Sequence, residues 1–444
     1  MSTLNRLPIA PTEVMPELAE FLAPFHVQFA RRESRQALQR YCTGLLTEHP
    51  NKNCDTLAQL VPATSEQQLQ GLLTAMAWDE DDLNRQRVER MLALPTEGDG
   101  VLIFDDTGFA KQGVHSVGVA RQYSGTLGKT GNCQVAVTCH YAERTVAWPI
   151  AARLYLPRSW ADDADRRTRA GVPEEVAFRT KPEIALALLD QAEAWGVRWA
   201  CVTADCDYGD NPNFLAGLDE REQKYVVAVR VDFAVATARR LAEPAQRADA
   251  LVGALPACVW RSVRWREGSK GWLRGRFAAV RCWRVTADGT RHVGWLIGES
   301  EARGQEERRK FFWSNLGPQV ALERLVGYAH RRHWVEQYYE EAKGLLGWDQ
   351  YQGRLWIGFH RHAVAVMLAY SFLVWQEFRL RWTRPRPGRI RPAFSPSPGP
   401  PSGAAAGDPP TDQRLAAVGS RPGVVGERGH RQLVPTHADV TKQN

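Results

Sequence analysis

No two cysteines form a CxxC pair, although the 444-residue chain holds eight of them, at 42, 54, 133, 139, 201, 206, 258 and 282. No Cys/His cluster has zinc-finger spacing either. These absences exclude the common structural zinc sites and a CxxC redox centre. Scattered cysteines, and an N-terminus without a basic-then-apolar leader, read as reduced thiols, so a cytoplasmic protein is expected. Long hydrophobic runs are also missing. The longest, Ala363 to Trp375, has thirteen residues and follows His360-Arg361-His362. That is too short to span a bilayer as a helix, so it reads as a buried core helix and no membrane partner is expected. No internal repeat recurs, which excludes solenoids and propellers.

What is present is ordinary globular composition, 44% hydrophobic and 24% charged, enough for two or three domains. A formal net charge of +7 mildly favours a polyanionic partner. Residues 1–97 read as helical, with acids before bases in "DEDDLNRQRVERML", as a helix dipole prefers. They suit a DNA-binding bundle or a helical cap. Within 98–231, "VLIFD", "CQVAVTCHY" and "TVAWPIAARLYL" read as three strands of an antiparallel meander. A helix over Lys181 to Trp195 follows, then a strand into Asp205, a helix capped at Asn211-Pro212, and the strand "KYVVAVRV". Residues 232–318 hold six of the sixteen tryptophans and a hairpin around Asp288-Gly289, and read as a β-rich insertion. Residues 319–381 return to helix, one from Gln319 to about Leu346 and an apolar one over 363–378. Residues 382–444 are rich in Pro and Arg, bury no core, and read as a disordered tail. The fold class is therefore α/β: a mixed sheet with flanking helices, a β-rich insertion, and a helical N-terminal region.

Asp105 and Asp205 each stand where an apolar run stops. Adjacent strands would bring the two carboxylates together, and repulsion then demands a proton or a cation between them. A hard divalent ion with oxygen ligands meets that need. The plainer reading is that each aspartate caps a turn or the next helix. Further on, Arg332, Glu336, Glu340 and Lys343 share one helix face at spacings of four, four and three. "GTLGKTG" over 125–131 fails the phosphate-loop pattern, because Tyr123 stands where glycine is required, and reads as a hairpin turn. Arg121 and Lys129 beside it are candidate contacts to DNA phosphates. His360 and His362 do not share a helix face and are not read as a metal pair.

These blocks resemble the DDE transposases of bacterial insertion sequences, in the branch with the signature Tyr-x2-Arg-x3-Glu-x6-Lys. Arg332, Glu336 and Lys343 fill its last three places. The tyrosine place falls on Ala329, with Tyr328 one residue early. "DDTGFAKQG" and "VTADCDYGD" look like the blocks around the first two acids. The resemblance implies an RNase H-like catalytic domain with Asp105, Asp205 and Glu336 as catalytic, metal-holding acids. Asp106, Asp207, Glu340 and Glu341 are the substitutes. It further implies two Mg2+ ions, with Mn2+ as a replacement, for cleavage at the element ends and transfer of the freed 3′-hydroxyl into target DNA. Arg332 and Lys343 would grip phosphates, a homodimer would form on the terminal inverted repeats, and the protein would associate with the nucleoid. Some relatives stack an insertion aromatic on a flipped base, a role open to Trp260, Trp265, Trp272, Trp283 or Trp295. Two rivals stand beside this reading: a catalytically inactive DNA-binding derivative, and a sugar hydrolase with paired carboxylates.

Overall fold

A computed structural model describes residues 10, 13–238, 244–268, 271–303 and 306–383, without the side chains of 301–308 and 382–383. The tail read from 382 onward therefore lies outside the described residues, apart from the last two residues of the final helix.

Five helices come first: α1 (Pro16–Leu22), α2 (Arg32–Leu45), α3 (Cys54–Leu60), α4 (Glu66–Thr74) and α5 (Glu80–Leu92). The last three start at side-chain caps, where Asn53, Ser65 and Asp79 each accept a backbone N–H three residues on. Then follow β1 (Val101–Ala110), β2 (Ala120–Ser124), β3 (Lys129–Ala142), β4 (Ala147–Leu154), α6 (Arg158–Ala161), α7 (Ala164–Ala170) and α8 (Lys181–Ala194). After these come β5 (Cys201–Ala204), α9 (Cys206–Gly209), α10 (Pro212–Glu220) and β6 (Val226–Val229). The tryptophan-rich region forms β7 (Ala234–Ala236), β8 (Gln246–Arg247), α11 (Ala248–Gly253), β9 (Arg261–Gly268), β10 (Gly271–Val285), β11 (Arg291–Arg303) and β12 (Glu306–Ser314). The described chain closes with α12 (Leu322–His330), α13 (His333–Gly344) and α14 (Trp356–Thr383).

The first sheet runs β2-β3-β1-β5, with β4 also on β3. β1, β3 and β4 form the expected antiparallel meander, and β5 joins β1 in parallel. The apolar run of β1 is continuous because both faces are covered. Leu102 and Phe104 pack with α8 and α10, while Val101 and Ile103 pack towards α12 and α13. This is an α/β architecture of the RNase H-like kind. The expected helix before β5 is α8, closed at its start by a capping box between Thr180 and Glu183.

Three details differ from the sequence reading. The short strand β2 was not anticipated. β6 hydrogen-bonds to β12 in a second, seven-stranded sheet, β6-β12-β11-β10-β7-β8 with β9 on β10, and meets the first sheet only at the Val202–Tyr225 bridge. The phenylalanines and tryptophan of β12 (Phe311, Phe312, Trp313) give it a four-residue ladder there that β5, only four residues long and already paired to β1, does not supply. The helix expected from Gln319 to Leu346 is two helices. Between them the ladder tightens to i→i+3 bonds, with Arg331, Trp334 and Val335 donating to Tyr328, Arg331 and Arg332. The Arg331 guanidinium is drawn aside to Asp99.

The N-terminal helices share one core with α14: Phe21, Leu38, Leu57 and Leu72 are buried in the same cluster as Val366, Leu368 and Phe372. α14 is long and apolar enough to cross a membrane by length and composition, yet most of that stretch is buried inside the fold. Arg87 ties these layers together. It is fully buried, and donates to Asn84 Oδ1, the Ile150 carbonyl and Ser371 Oγ at 2.7–2.9 Å. Replacing it strands those acceptors away from water. Arg87→Met is expected to cost about 3 kcal/mol, seen as a Tm lowered by several degrees in differential scanning fluorimetry. An unchanged Tm would show the network to be dispensable.

Candidate active site

The β1–β5 ladder pairs Phe104 with Ala204, so the next residues, Asp105 and Asp205, leave it side by side. β1 does not end there, as the sequence suggested. It continues to Ala110 against β3, so what stops at Asp105 is the parallel pairing. Asp105 is buried, its Oδ1 accepting the Asp106 N–H at 2.7 Å. Asp205 Oδ1 accepts the N–H groups of Asp207 and Tyr208 at 3.0 and 3.3 Å and caps α9. The capping role and the pairing of carboxylates therefore coexist. The Asp105 carboxyl is raised to about 8, by burial first and by Asp205 and Asp106, against the pull of the Arg332 guanidinium. Asp205 is also raised, by burial first, against the pull of Arg332.

α13 lies across this pair. Arg332, its N-cap residue, donates from one Nη to Asp105 Oδ2 at 2.6 Å and from the other to Glu336 Oε1 at 2.5 Å. A single guanidinium thus separates the first and third expected acids. Burial would lower the Arg332 pKa; Asp105, Glu336 and Asp205 outweigh it and raise it. Two turns on, Lys343 Nζ donates to Thr107 Oγ1 at 2.6 Å and to the Gly108 carbonyl at 2.9 Å. Burial pulls its ammonium down to about 8. Thr107 follows Asp105 by two, so both face α13. Gly108 is required here: a Cβ would meet Ser124 Oγ at 1.9 Å.

Other anticipated residues fall elsewhere. Asp106 points to the opposite face, where Lys181 pairs with it at 3.0 Å. Asp207 is paired with Arg230, and Glu341 accepts from Gln337. Glu340 lines a shallow pocket with Glu336 and Glu341. Arg121 and Lys129 are exposed, on β2 and at the start of β3, and the "GTLGKTG" stretch is the hairpin turn expected, with Gly128 at φ +62°. Tyr328 and Ala329 are both buried in α12. His360 and His362 are buried in α14, their pKa values pulled down to about 3 and about 4 by burial, so both are neutral core residues. Of the five insertion tryptophans, Trp272 is the exposed one, at 51%.

Sequence reasoning missed Lys181, Tyr339 and Thr126. Tyr339 hydrogen-bonds Thr138, which lies opposite Asp105 on β3. Thr126 approaches Thr107 and Lys343. The spacing of three and four from Glu336 through Tyr339 to Lys343 was available as a signal for Tyr339; for Lys181, 75 residues from its partner, none was.

The donors at this site are carboxylate oxygens, the chemistry that suits a hard divalent cation. Two adjacent carboxyls, Asp105 buried and Asp205 half-buried, both raised above the usual range, fit such a cation, because its charge would relieve the repulsion between them. Among the described residues no three His, Cys, Asp or Glu side chains already converge at metal distance. Arg332 instead supplies the positive charge between Asp105 and Glu336.

Residues 24–271 match the family described as DDE superfamily endonuclease. That span includes Asp105 and Asp205 and stops before Glu336. The chain is also similar to the probable transposase for insertion sequence element IS701 of Microchaete diplosiphon, 26% identical over 359 residues, which are 78% of this chain and 83% of that protein. With more than half of its length matched, the chain belongs to the DDE superfamily endonuclease family, enzymes of the nuclease and transposase class.

Proposed function

We propose that this protein is an insertion-sequence transposase that cuts DNA at the element's terminal inverted repeats and joins the freed 3′-hydroxyl to target DNA, with Asp105, Asp205 and Glu336 holding Mg2+. The observation that carries the reading is the parallel register setting Asp105 beside Asp205 under a helix that presents Arg332, Glu336 and Lys343 to the same face. In the first step water attacks phosphorus, the P–O3′ bond breaks, and the 3′-oxygen leaves with a proton. In the second that hydroxyl attacks a target phosphodiester and displaces its 3′-oxygen. Bound divalent cations supply activation of the attacking oxygen and charge neutralisation at the leaving one. Asp105 and Asp205 hold them, rigidly placed by the ladder and by the α9 cap. Arg332 exchanges its carboxylates for a phosphate as DNA arrives, and Lys343 grips the backbone beyond the cut bond. Two ends must be brought together, so a homodimer on DNA is part of the proposal.

The test is a nicking assay on the inverted repeats that flank the reading frame, with and without Mg2+. A protein that shifts these repeats without cutting them is the inactive DNA-binding derivative. Protonation gives a second check. Asp105 must be ionised to hold a cation, so cleavage at subsaturating Mg2+ falls as pH drops below about 8. Lys343 loses its charge above about 8, so cleavage falls again there. Single-turnover rates are expected to be bell-shaped, and Lys343→Arg, which stays charged, is expected to flatten only the alkaline limb. A flat profile in the parent protein would remove both assignments.

A further inference from the structure

A groove of about 680 Å3 opens where β1 leaves the site, lined by Arg121, Arg166, Arg169 and Arg354 with one carboxylate, Asp163. Asp163 is occupied in capping α7, where its Oδ1 accepts the Arg166 N–H. Among the described residues none of the four guanidinium groups has a carboxylate partner. Arginines elsewhere such as Arg85, Arg221 and Arg247 are paired, with Asp82, Asp190 and Asp249. Four unneutralised arginines in one concavity repel one another, and side-chain contacts hold two of them in place. Arg166 lies flat on Trp160, 3.8 Å from the ring centroid, and donates to the Val114 carbonyl at 3.1 Å. Arg169 is held by the Asp165 carbonyl. Such a site is preorganised for a polyanion.

Its place relative to the catalytic pair is set by the strands. Ala110 lies five residues beyond Asp105 and faces Cys133, which also faces Ala120, the neighbour of Arg121. Five residues of strand span ~17 Å. Cations mark the whole way: Arg332 at Asp105, Lys343 at Thr107 and Gly108, then the groove. The segment after α13 leads to Arg354, whose carbonyl accepts the Val117 N–H and so fixes it to the groove wall. A duplex seated on the catalytic pair rises about 3.4 Å per nucleotide along its axis, so a groove ~17 Å away lies within about half a turn of it.

We infer that this groove holds the phosphodiester backbone of duplex DNA within about half a helical turn of the bond that is cut. The distance to the cut bond rests on the proposed cutting site; the groove's affinity for DNA does not. The experiment uses the full-length protein and a fluorescent duplex carrying the terminal repeat, with an unrelated duplex as the target-like arm. Binding is followed by anisotropy over a series of KCl concentrations. Arg121→Ala, Arg169→Ala and Arg354→Ala combined are expected to lower the slope of log affinity against log salt by about three, roughly 0.9 per lost phosphate contact. The same three positions changed to lysine are expected to keep the slope. Loss on the repeat duplex alone assigns the groove to element ends, and loss on both assigns it to DNA in general. An unchanged slope overturns the proposal, as does equal loss in the lysine variant, or a change on duplex RNA but not on DNA. Should the alanine triple not fold, Arg169→Ala with Arg354→Ala is read instead, with an expected drop of about two. Asp105→Asn is run in parallel. If it still cuts, the cutting site is wrong while the slope result stands.

Discussion

Asp105→Asn and Asp205→Asn are each expected to reduce strand cleavage by on the order of 10³-fold or more, while gel-shift affinity for the repeats stays within a few fold. The expected size follows from what cations held at this site would supply, several kcal/mol of transition-state charge stabilisation. Asparagine keeps the shape and removes the charge. At position 105 it also removes a carboxyl that burial already makes costly to ionise, so folding does not suffer. The pH dependence of stability shows this. The folded-state pKa of Asp105 is raised above its ordinary value, so between about 4 and about 8 the folded protein holds a proton that the unfolded chain has released. Asp105 therefore lowers stability as pH rises through that window, and Asp105→Asn is expected to lose this part of the slope. The measurements are single-turnover cleavage and Tm across pH. Undiminished cleavage in either variant would remove that residue from the site. Loss of cleavage together with a collapsed Tm would mean the residue is structural.

Arg332→Gln is expected to change two quantities in opposite directions. Without DNA, Mn2+ binding measured by electron paramagnetic resonance tightens at least tenfold. With DNA, cleavage falls by on the order of 10²-fold. Both follow from one contact, the guanidinium fork that bridges Asp105 and Glu336. While it is there, it competes for the charge that a divalent cation needs. When DNA is bound, the same fork is the group matched to a phosphate. Arg332→Lys keeps the charge but not the fork, and is expected to fall between the parent and the glutamine variant. Equal Mn2+ affinity in all three proteins would show that the bridge does not govern cation entry.

Much of the site was legible because its geometry is local. Arg332, Glu336 and Lys343 lie one and then two turns apart, and spacing alone placed them on one face. The β1–β3–β4 meander and α8 followed from apolar runs and an amphipathic pattern. The Asp288-Gly289 hairpin followed from its turn residues, with Gly289 at φ +84°. What stayed hidden depends on partners distant in the chain. Lys181 reaches Asp106 from 75 residues away. The four groove arginines come from 121, 166, 169 and 354, and only the first had been singled out. The break between α12 and α13 carries no glycine or proline; it follows from the pull of Asp99 on Arg331 across 232 residues.

By itself the sequence determined which segments are apolar on one face or two, where caps and turns stand, and which seven acids were eligible for chemistry. Those are short-range properties, set by backbone preference and by the period of the side chains. Only the tertiary structure decided that Asp105 faces α13 while Asp106 faces Lys181, and that β6 leaves one sheet for another. It alone put Arg332 between two of the acids. Strand register and the burial of charge depend on what packs alongside, and a one-residue slip in the β1–β5 ladder would have turned the carboxylate of Asp105 away from Asp205.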